Sequence, residues 1–177
     1  WTATGQNQSA EIMVYRVQDW CKVLLHELVH AWNWDDKAAA TVEGVPAMRC
    51  FEGLVEYCAL RLYSHLIKVV LQDEKSWETE KKHSWELASW YWKAGAVTKE
   101  ETNASAYMLL KCGMFEEVAR VRQFLVSQKK QQFLELAKRA WKRVEKKLGP
   151  RPKVASRLEC RPSIQYSYYH LHPTSLP

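Results

Sequence analysis

The chain has 177 residues, 47% of them hydrophobic and 26% charged, which is the composition of one globular domain. No apolar run is long enough to span a bilayer and no basic-then-apolar leader is visible, so we expect an intracellular protein, cytoplasmic or nuclear. The net charge of +6 is uneven: residues 120–161 hold fourteen Lys or Arg against three Glu, a net +11, which leaves −5 for the remainder.

The first half of the chain is predicted to contain two long helical segments. Residues 1–9 are polar and are predicted to be irregular. A helical pattern then runs from Ala10 to Trp34, either unbroken or as two helices that meet near Gln18–Asp19. A loop is expected from Ala38 to Pro46, and apolar residues three and four apart predict a helix from about Ala47 to Leu71.

The second half is predicted to contain three more helices. Residues 72–78 are expected to form a turn, and a Trp-rich helix follows until Gly95 interrupts it. Thr98 with Glu101 has the form of a capping box, which would start a fourth helix over roughly 100–126. A fifth helix is predicted over about 128–148. Its buried face is predicted to consist of Phe133, Ala137, Ala140, Trp141, Val144 and Leu148.

These patterns predict a mainly α fold, because no alternating strand pattern of useful length is visible. Residues 1–148 are expected to form one helical domain that continues a longer chain upstream. Residues 149–177 contain five prolines and several aromatic residues, and are expected to pack as a tail on the body or on a partner. An odd number of cysteines without a CxxC pair favours buried thiols over disulfides: Cys21, Cys50, Cys58, Cys112 and Cys160.

The segment from Leu25 to Trp32 contains the pattern HExxH. Positions i and i+4 share one face of a helix, so His26 and His30 can direct two imidazole nitrogens at one Zn²⁺ ion. The Glu27 carboxylate lies beside them, where it can take a proton from a water activated by the metal. The alternative interpretation is two hydrogen-bonded core histidines and a surface Glu.

A catalytic zinc site needs a third protein ligand and an open position. Glu52 lies 22 positions after His30, at the start of the next predicted helix, and is the first candidate. Glu56 lies one turn further on the same face, where it can orient a ligand histidine. Glu43, in the predicted loop 13 positions after His30, is the rival third ligand.

The string HELVH, followed by the EGxxEY segment that begins at Glu52, resembles the gluzincin metallopeptidases. The resemblance extends to thermolysin-like, aminopeptidase-like and plant DA1-like peptidase domains and covers about residues 20–65. It implies the helical half of a zincin-like domain, with any β-sheet lying upstream or very small. The interval from His30 to Glu52 is a few residues longer than is usual in the aminopeptidases, and their GxMEN exopeptidase motif is absent.

The aminopeptidase-like members use a Tyr on a later helix as the oxyanion donor. The resemblance therefore implies this role for Tyr107, which lies 55 positions after Glu52. Tyr57, His65 and His83 are the competing candidates for the same role.

Three functions follow as hypotheses from these features. The first is a zinc peptidase acting on a polypeptide substrate, with Glu27 as general base and residues 120–161 recruiting an acidic protein. The second is a catalytically silent subunit of a large assembly that keeps the metallopeptidase fold. The third is a helical module that binds nucleic acid through its basic third, although no recognised nucleic-acid motif accompanies the charge.

Overall fold

The computed structural model describes residues 5–8, 11–14, 20–47, 49–95 and 104–150. Within these ranges the chain forms a small β-hairpin and six helices, so the predicted mainly α class is confirmed. The elements are β1 (Gly5–Gln8), β2 (Glu11–Val14), α1 (Trp20–Ala31), α2 (Cys50–Leu71), α3 (Ser76–Lys93), α4 (Ala104–Met114), α5 (Val118–Ser127) and α6 (Lys130–Leu148).

β2 takes the place of the start of the predicted first helix, and β1 lies in the segment predicted to be irregular. β1 and β2 pair antiparallel, with Gly5 opposite Val14 and Gln8 opposite Glu11. The expectation of an irregular segment is therefore wrong over β1, and that of a helix is wrong over β2. Ile12 and Val14 are β-branched residues two positions apart, which suits a strand, but four residues are too few for the alternation to stand out. Both strands contact α1.

Helix α2 is the centre of the helical body. It packs against α1, α3 and α4, and α4 packs in turn against α6. The predicted second, third and fifth helices are confirmed in position by α2, α3 and α6. Every residue of the predicted α6 face is buried except Leu148, which is half-buried. The core is formed largely by residues of α2, α4 and α6, among them Leu54, Val55, Leu109, Leu110, Phe133, Ala140 and Trp141.

The predicted fourth helix is wrong as a single element, because α4 ends at Met114 and α5 begins at Val118. The intervening turn buries the ring of Phe115 among aromatic residues, 5.3 Å from Trp77 and 6.1 Å from Tyr57 between ring centroids. It also places the buried Glu117 carboxylate against the guanidinium groups of α5 and α6: Arg120, Arg139 and Arg143. A continuous helix would not bring both side chains inward, and neither Gly nor Pro marks the break at residues 115–117.

Close packing of α4 against α6 depends on Gly113. A Cβ atom added to this residue would lie 2.0 Å from the carbonyl oxygen of Ala140. The two helix backbones therefore approach more closely than any side chain at position 113 permits.

Several predictions fall outside the described residues. They are the capping box of Thr98 with Glu101, the position of Cys160, and the tail apart from Gly149 and Pro150. The remaining four cysteines are free thiols; Cys50, Cys58 and Cys112 are buried, as predicted, and Cys21 is half-buried.

Candidate metal centre

Two helices bring three metal-ligating side chains together. His26 and His30 project from one face of α1, and Glu52 projects from the first turn of α2. The Oε2 atom of Glu52 lies 3.3 Å from Nε2 of His26 and 3.5 Å from Nε2 of His30. One ligand atom from each of the three residues lies within 4.8 Å of the other two. A single cation placed between them can contact all three.

The far side of each imidazole contacts another carboxylate. Nδ1 of His26 lies 3.1 Å from Oε1 of Glu56, and Nδ1 of His30 lies 2.8 Å from Oδ2 of Asp35. An ionised carboxylate can only accept, so Nδ1–H is the donor in both contacts. Because the Nδ1 atoms are engaged in this way, each Nε2 is available to a metal ion, and the ring orientations are fixed.

The carboxylates make the centre strongly attractive to positive charge. Burial by itself lowers the pKa of His26, but hydrogen bonds with Glu52 and Glu56 outweigh it and raise the pKa to about 10. Burial likewise lowers the pKa of His30, and the hydrogen bonds with Asp35 and Glu52 raise it to about 9. Burial raises the pKa of Glu52, but its two histidine partners bring it down to about 2. The same electrostatics favours a divalent cation at this position.

Four charged side chains that interact electrostatically with one another are buried next to this group, one from each of the first four helices: Lys22, Glu56, Glu80 and Lys111. Oε2 of Glu56 lies 3.7 Å from Nζ of Lys22 and 4.0 Å from Nζ of Lys111. Burial and the charge of Lys22 lower the pKa of Lys111 to about 8, against the opposing effect of Glu56. Glu56, on α2, therefore contacts His26 and Lys22 of α1 and also lies near Lys111 of α4.

The structure separates the two rivals for the third ligand. Glu52 belongs to the group around the histidines, with 14% of its side chain exposed. The side chain of Glu43 is 94% exposed and lies 3.4 Å from Nζ of Lys138 on α6. Glu43 as third ligand is therefore not supported, because the loop carries it to the surface, where it pairs with a lysine.

Glu27 lies on α1, between His26 and His30 in the sequence, and only 9% of its surface is exposed. It thus occupies the position in the sequence and on the helix that the motif assigns to a general base. Its role stays a prediction.

The oxyanion candidates lie on three helices. Tyr107 is half-buried on α4, packed with Trp90 against the pair formed by Tyr91 and Met108. Its backbone carbonyl lies next to Gly53, where an added Cβ would be 3.1 Å from the oxygen. The role of Tyr107 therefore stays a prediction. Among its competitors, the ring of Tyr57 packs in the core, His65 is exposed on α2 and His83 is buried on α3.

Sequence reasoning missed Asp35, Lys22 and Lys111. Asp35 directly follows the predicted helical pattern that ends at Trp34, and its proximity to His30 depends on how the chain turns after α1. Lys22 carried a usable signal, because it lies four residues before His26 and so falls on the same helix face. The position of Lys111 depends on the packing of α4 against α2, which no local pattern specifies.

The chain was compared with protein-family models, with curated proteins and with solved structures, and none of the three comparisons returned a match. The resemblance to gluzincins therefore depends on the motif residues alone. Across the described part of the chain, no helix combines the length and the apolar content that crossing a membrane requires.

Proposed function

We propose that this chain is a zinc-dependent peptidase in which His26, His30 and Glu52 hold the metal. One observation carries the proposal: two Nε2 atoms from α1 and one carboxylate oxygen from α2 converge on a single point. The HExxH motif and the convergence of these three side chains both support the proposal.

The donor set fits zinc better than the common hard cations. Two imidazole nitrogens and one carboxylate form a typical catalytic zinc set, whereas Mg²⁺ and Ca²⁺ prefer oxygen ligands throughout. Three protein ligands leave a coordination position open. When bound there, zinc supplies an acidified water and polarises the scissile carbonyl.

The protein side chains have separate tasks in this proposal. Glu27 takes a proton from the attacking water and passes it to the leaving amine. Glu56 accepts from Nδ1–H of His26 and keeps that ring in place. The side chains of His26 and His30 are 17% and 23% exposed, so the centre is only partly buried among the described residues.

The Glu-Gly pair on which the gluzincin resemblance partly depends also has a role in helix packing. Glu52 is followed by Gly53, and Gly53 lies against Leu110 and the carbonyl of Tyr107 on α4, where an added Cβ would be 3.1 Å from both. The Glu-Gly pair therefore has a packing reason here: a small residue beside the ligand lets α4 approach the ligand-bearing turn of α2.

We expect Glu52→Ala to weaken zinc binding by more than the roughly 10- to 100-fold that loss of an outer carboxylate causes, because a direct ligand is removed. Zinc affinity would be measured by competition with a chromophoric chelator, and the metal content by elemental analysis. Glu43→Ala is the matched control, since its exposed side chain pairs with Lys138. Loss of zinc from Glu43→Ala, with Glu52→Ala unaffected, would contradict the ligand assignment.

Several of the positive charges in residues 120–161 already have a carboxylate partner within the fold. Arg120, Arg139 and Arg143 lie around the buried Glu117, and Lys138 pairs with Glu43. Within the described part of residues 120–161, a recruiting surface for an acidic protein would therefore use other exposed cations of α5 and α6 and of the turn between them: Arg122, Lys129, Lys130, Lys142 and Lys146. This surface is also what the alternative function, a silent subunit of an assembly, would use.

A further inference from the structure

Helix α1 ends in a specific turn directly after the second metal ligand. Asn33 has a left-handed φ of 55°. Its N–H donates to the carbonyl of His30 at 2.9 Å, and the N–H of Trp34 donates to the carbonyl of Val29 at 3.3 Å. These two bonds form a Schellman motif, with Asn33 in the left-handed position that Gly or Asn usually takes. The motif turns the chain back toward the helix that it has just left.

The residues on both sides of Asp35 are held in place. Trp34 packs against the core cluster that contains Val29, which is the apolar contact typical of this motif. The carbonyl of Trp34 accepts a bond of 3.2 Å from Nε2 of Gln128, at the junction of α5 and α6. The carbonyl of Asp35 itself accepts from the N–H of Ala38 at 2.8 Å. The backbone therefore fixes where the Asp35 carboxylate lies.

We propose that Asp35 is a positioning residue that sets the orientation of His30 for metal binding; this inference rests on the zinc site proposed above. Its Oδ2 atom lies 2.8 Å from Nδ1 of His30, and its side chain is 15% exposed. The hydrogen bond holds Nδ1–H on the side away from Glu52, so Nε2 faces the ligand carboxylate at 3.5 Å.

The two histidines are fixed from different parts of the fold. Glu56 reaches His26 from α2, within the buried charged network. His30 is held by the turn that follows its own helix, and on its other side it meets the ring of Phe51, 6.2 Å away between centroids. An aromatic edge contact does not distinguish Nδ1 from Nε2. The hydrogen bond to Asp35 therefore determines that Nδ1 carries the proton and that Nε2 is left for the metal.

The neighbouring Asp36 provides a matched control. Its side chain is 53% exposed and forms an ion pair with Lys37, and it follows Asp35 directly in the chain. Replacing either aspartate changes the net charge equally and leaves the same turn. In the ion pairs described for these two residues, Asp35 contacts the proposed metal ligand His30, whereas Asp36 contacts Lys37.

The test compares zinc affinity and the visible spectrum of the Co²⁺-loaded protein for wild type, Asp35→Ala, Asp35→Asn and Asp36→Ala. We expect Asp35→Ala to weaken zinc binding about 10- to 100-fold and to alter the Co²⁺ absorption bands, which report ligand geometry. Asp35→Asn keeps an acceptor oxygen at the same place but loses the negative charge that strengthens the hydrogen bond, so it should still weaken zinc binding, by less than Asp35→Ala does. Asp36→Ala should bind both metals as the wild type does.

Three outcomes would overturn the inference, and they differ in what else they affect. If both Asp35 variants match the wild type in zinc affinity and Co²⁺ spectrum, the positioning role is wrong and the zinc site stands. If wild type and Asp36→Ala bind no zinc, the proposed function fails and the role of Asp35 fails with it. Thermal unfolding of the metal-free proteins separates a loss of fold from a loss of ligand geometry. If Asp35→Ala unfolds, Asp35→Asn decides: unchanged affinity overturns the inference.

Discussion

Glu27→Gln should retain stoichiometric zinc and lose peptidase activity, with kcat/KM falling by about 10²- to 10⁴-fold. The amide has nearly the shape of the carboxylate but cannot take a proton from water. Since Glu27 is not one of the three converging ligands, the metal should remain. The measurements are zinc content and cleavage of a peptide library by mass spectrometry, made on the same preparation.

The control for this variant is Glu135→Gln, an exposed residue on α6 outside the centre, which should leave both quantities unchanged. Cleavage by Glu27→Gln at the wild-type rate would show that Glu27 is not the base. Stoichiometric zinc with no cleavage by any of the proteins would favour the silent subunit of an assembly. In that case the ion would stabilise the junction of α1 and α2 by binding only the folded state.

The parts of the fold that could be predicted from sequence are those with a long, uninterrupted period. α2 and α6 have 22 and 19 residues, and their apolar positions recur often enough to give their bounds within a few residues. The hairpin is the opposite case, since two strands of four residues are too short for alternation to compete with a helical pattern. The break between α4 and α5 depends on burying Phe115 and Glu117, which is a tertiary event without a local signal.

The residues of the candidate centre also differ in how far the sequence predicts them. His26 and His30 follow from the helical repeat, and Glu52 with Glu56 follows from the same rule on the next helix. Glu43 was a weaker candidate because a loop position has no repeat to place it, and the structure carries it to Lys138. Asp35 could not be found by spacing, because its approach to His30 requires the left-handed Asn33 and the packed Trp34.

The buried charges of Lys22 and Lys111 show what the candidate metal centre requires of the rest of the fold. A buried carboxylate such as Glu56 is costly without partners, and each lysine offsets part of that cost while being buried itself. Glu56 can then accept the hydrogen bond from His26 only if α1 and α4 keep their packed positions against α2. The orientation of His26, a proposed metal ligand, therefore depends on helix packing outside the three-residue group, which makes the α4 interface relevant to the candidate centre.

Gly113→Ala should destabilise the fold by about 3 kcal/mol or more, because the new Cβ would lie 2.0 Å from the Ala140 carbonyl oxygen and 2.6 Å from its carbon. Both atoms belong to the backbone, so no side chain can move aside, and α4 must shift away from α6. For a protein of this size the loss corresponds to a fall in Tm of about 6–12 °C. Calorimetry and urea unfolding of the metal-free protein would measure it.

Gly149→Ala separates this steric effect from a backbone effect. Gly149 ends α6 with a φ of 81°, and an added Cβ there would meet no atom within 4 Å. Its substitution should cost only the strain of an extended, positive-φ conformation that essentially only Gly adopts, about 1–3 kcal/mol, without moving a helix. A shift of α4 also moves Lys111 away from Glu56, so Gly113→Ala should weaken zinc binding and Gly149→Ala should not. Equal stability of Gly113→Ala and wild type would mean that α4 and α6 do not pack this closely.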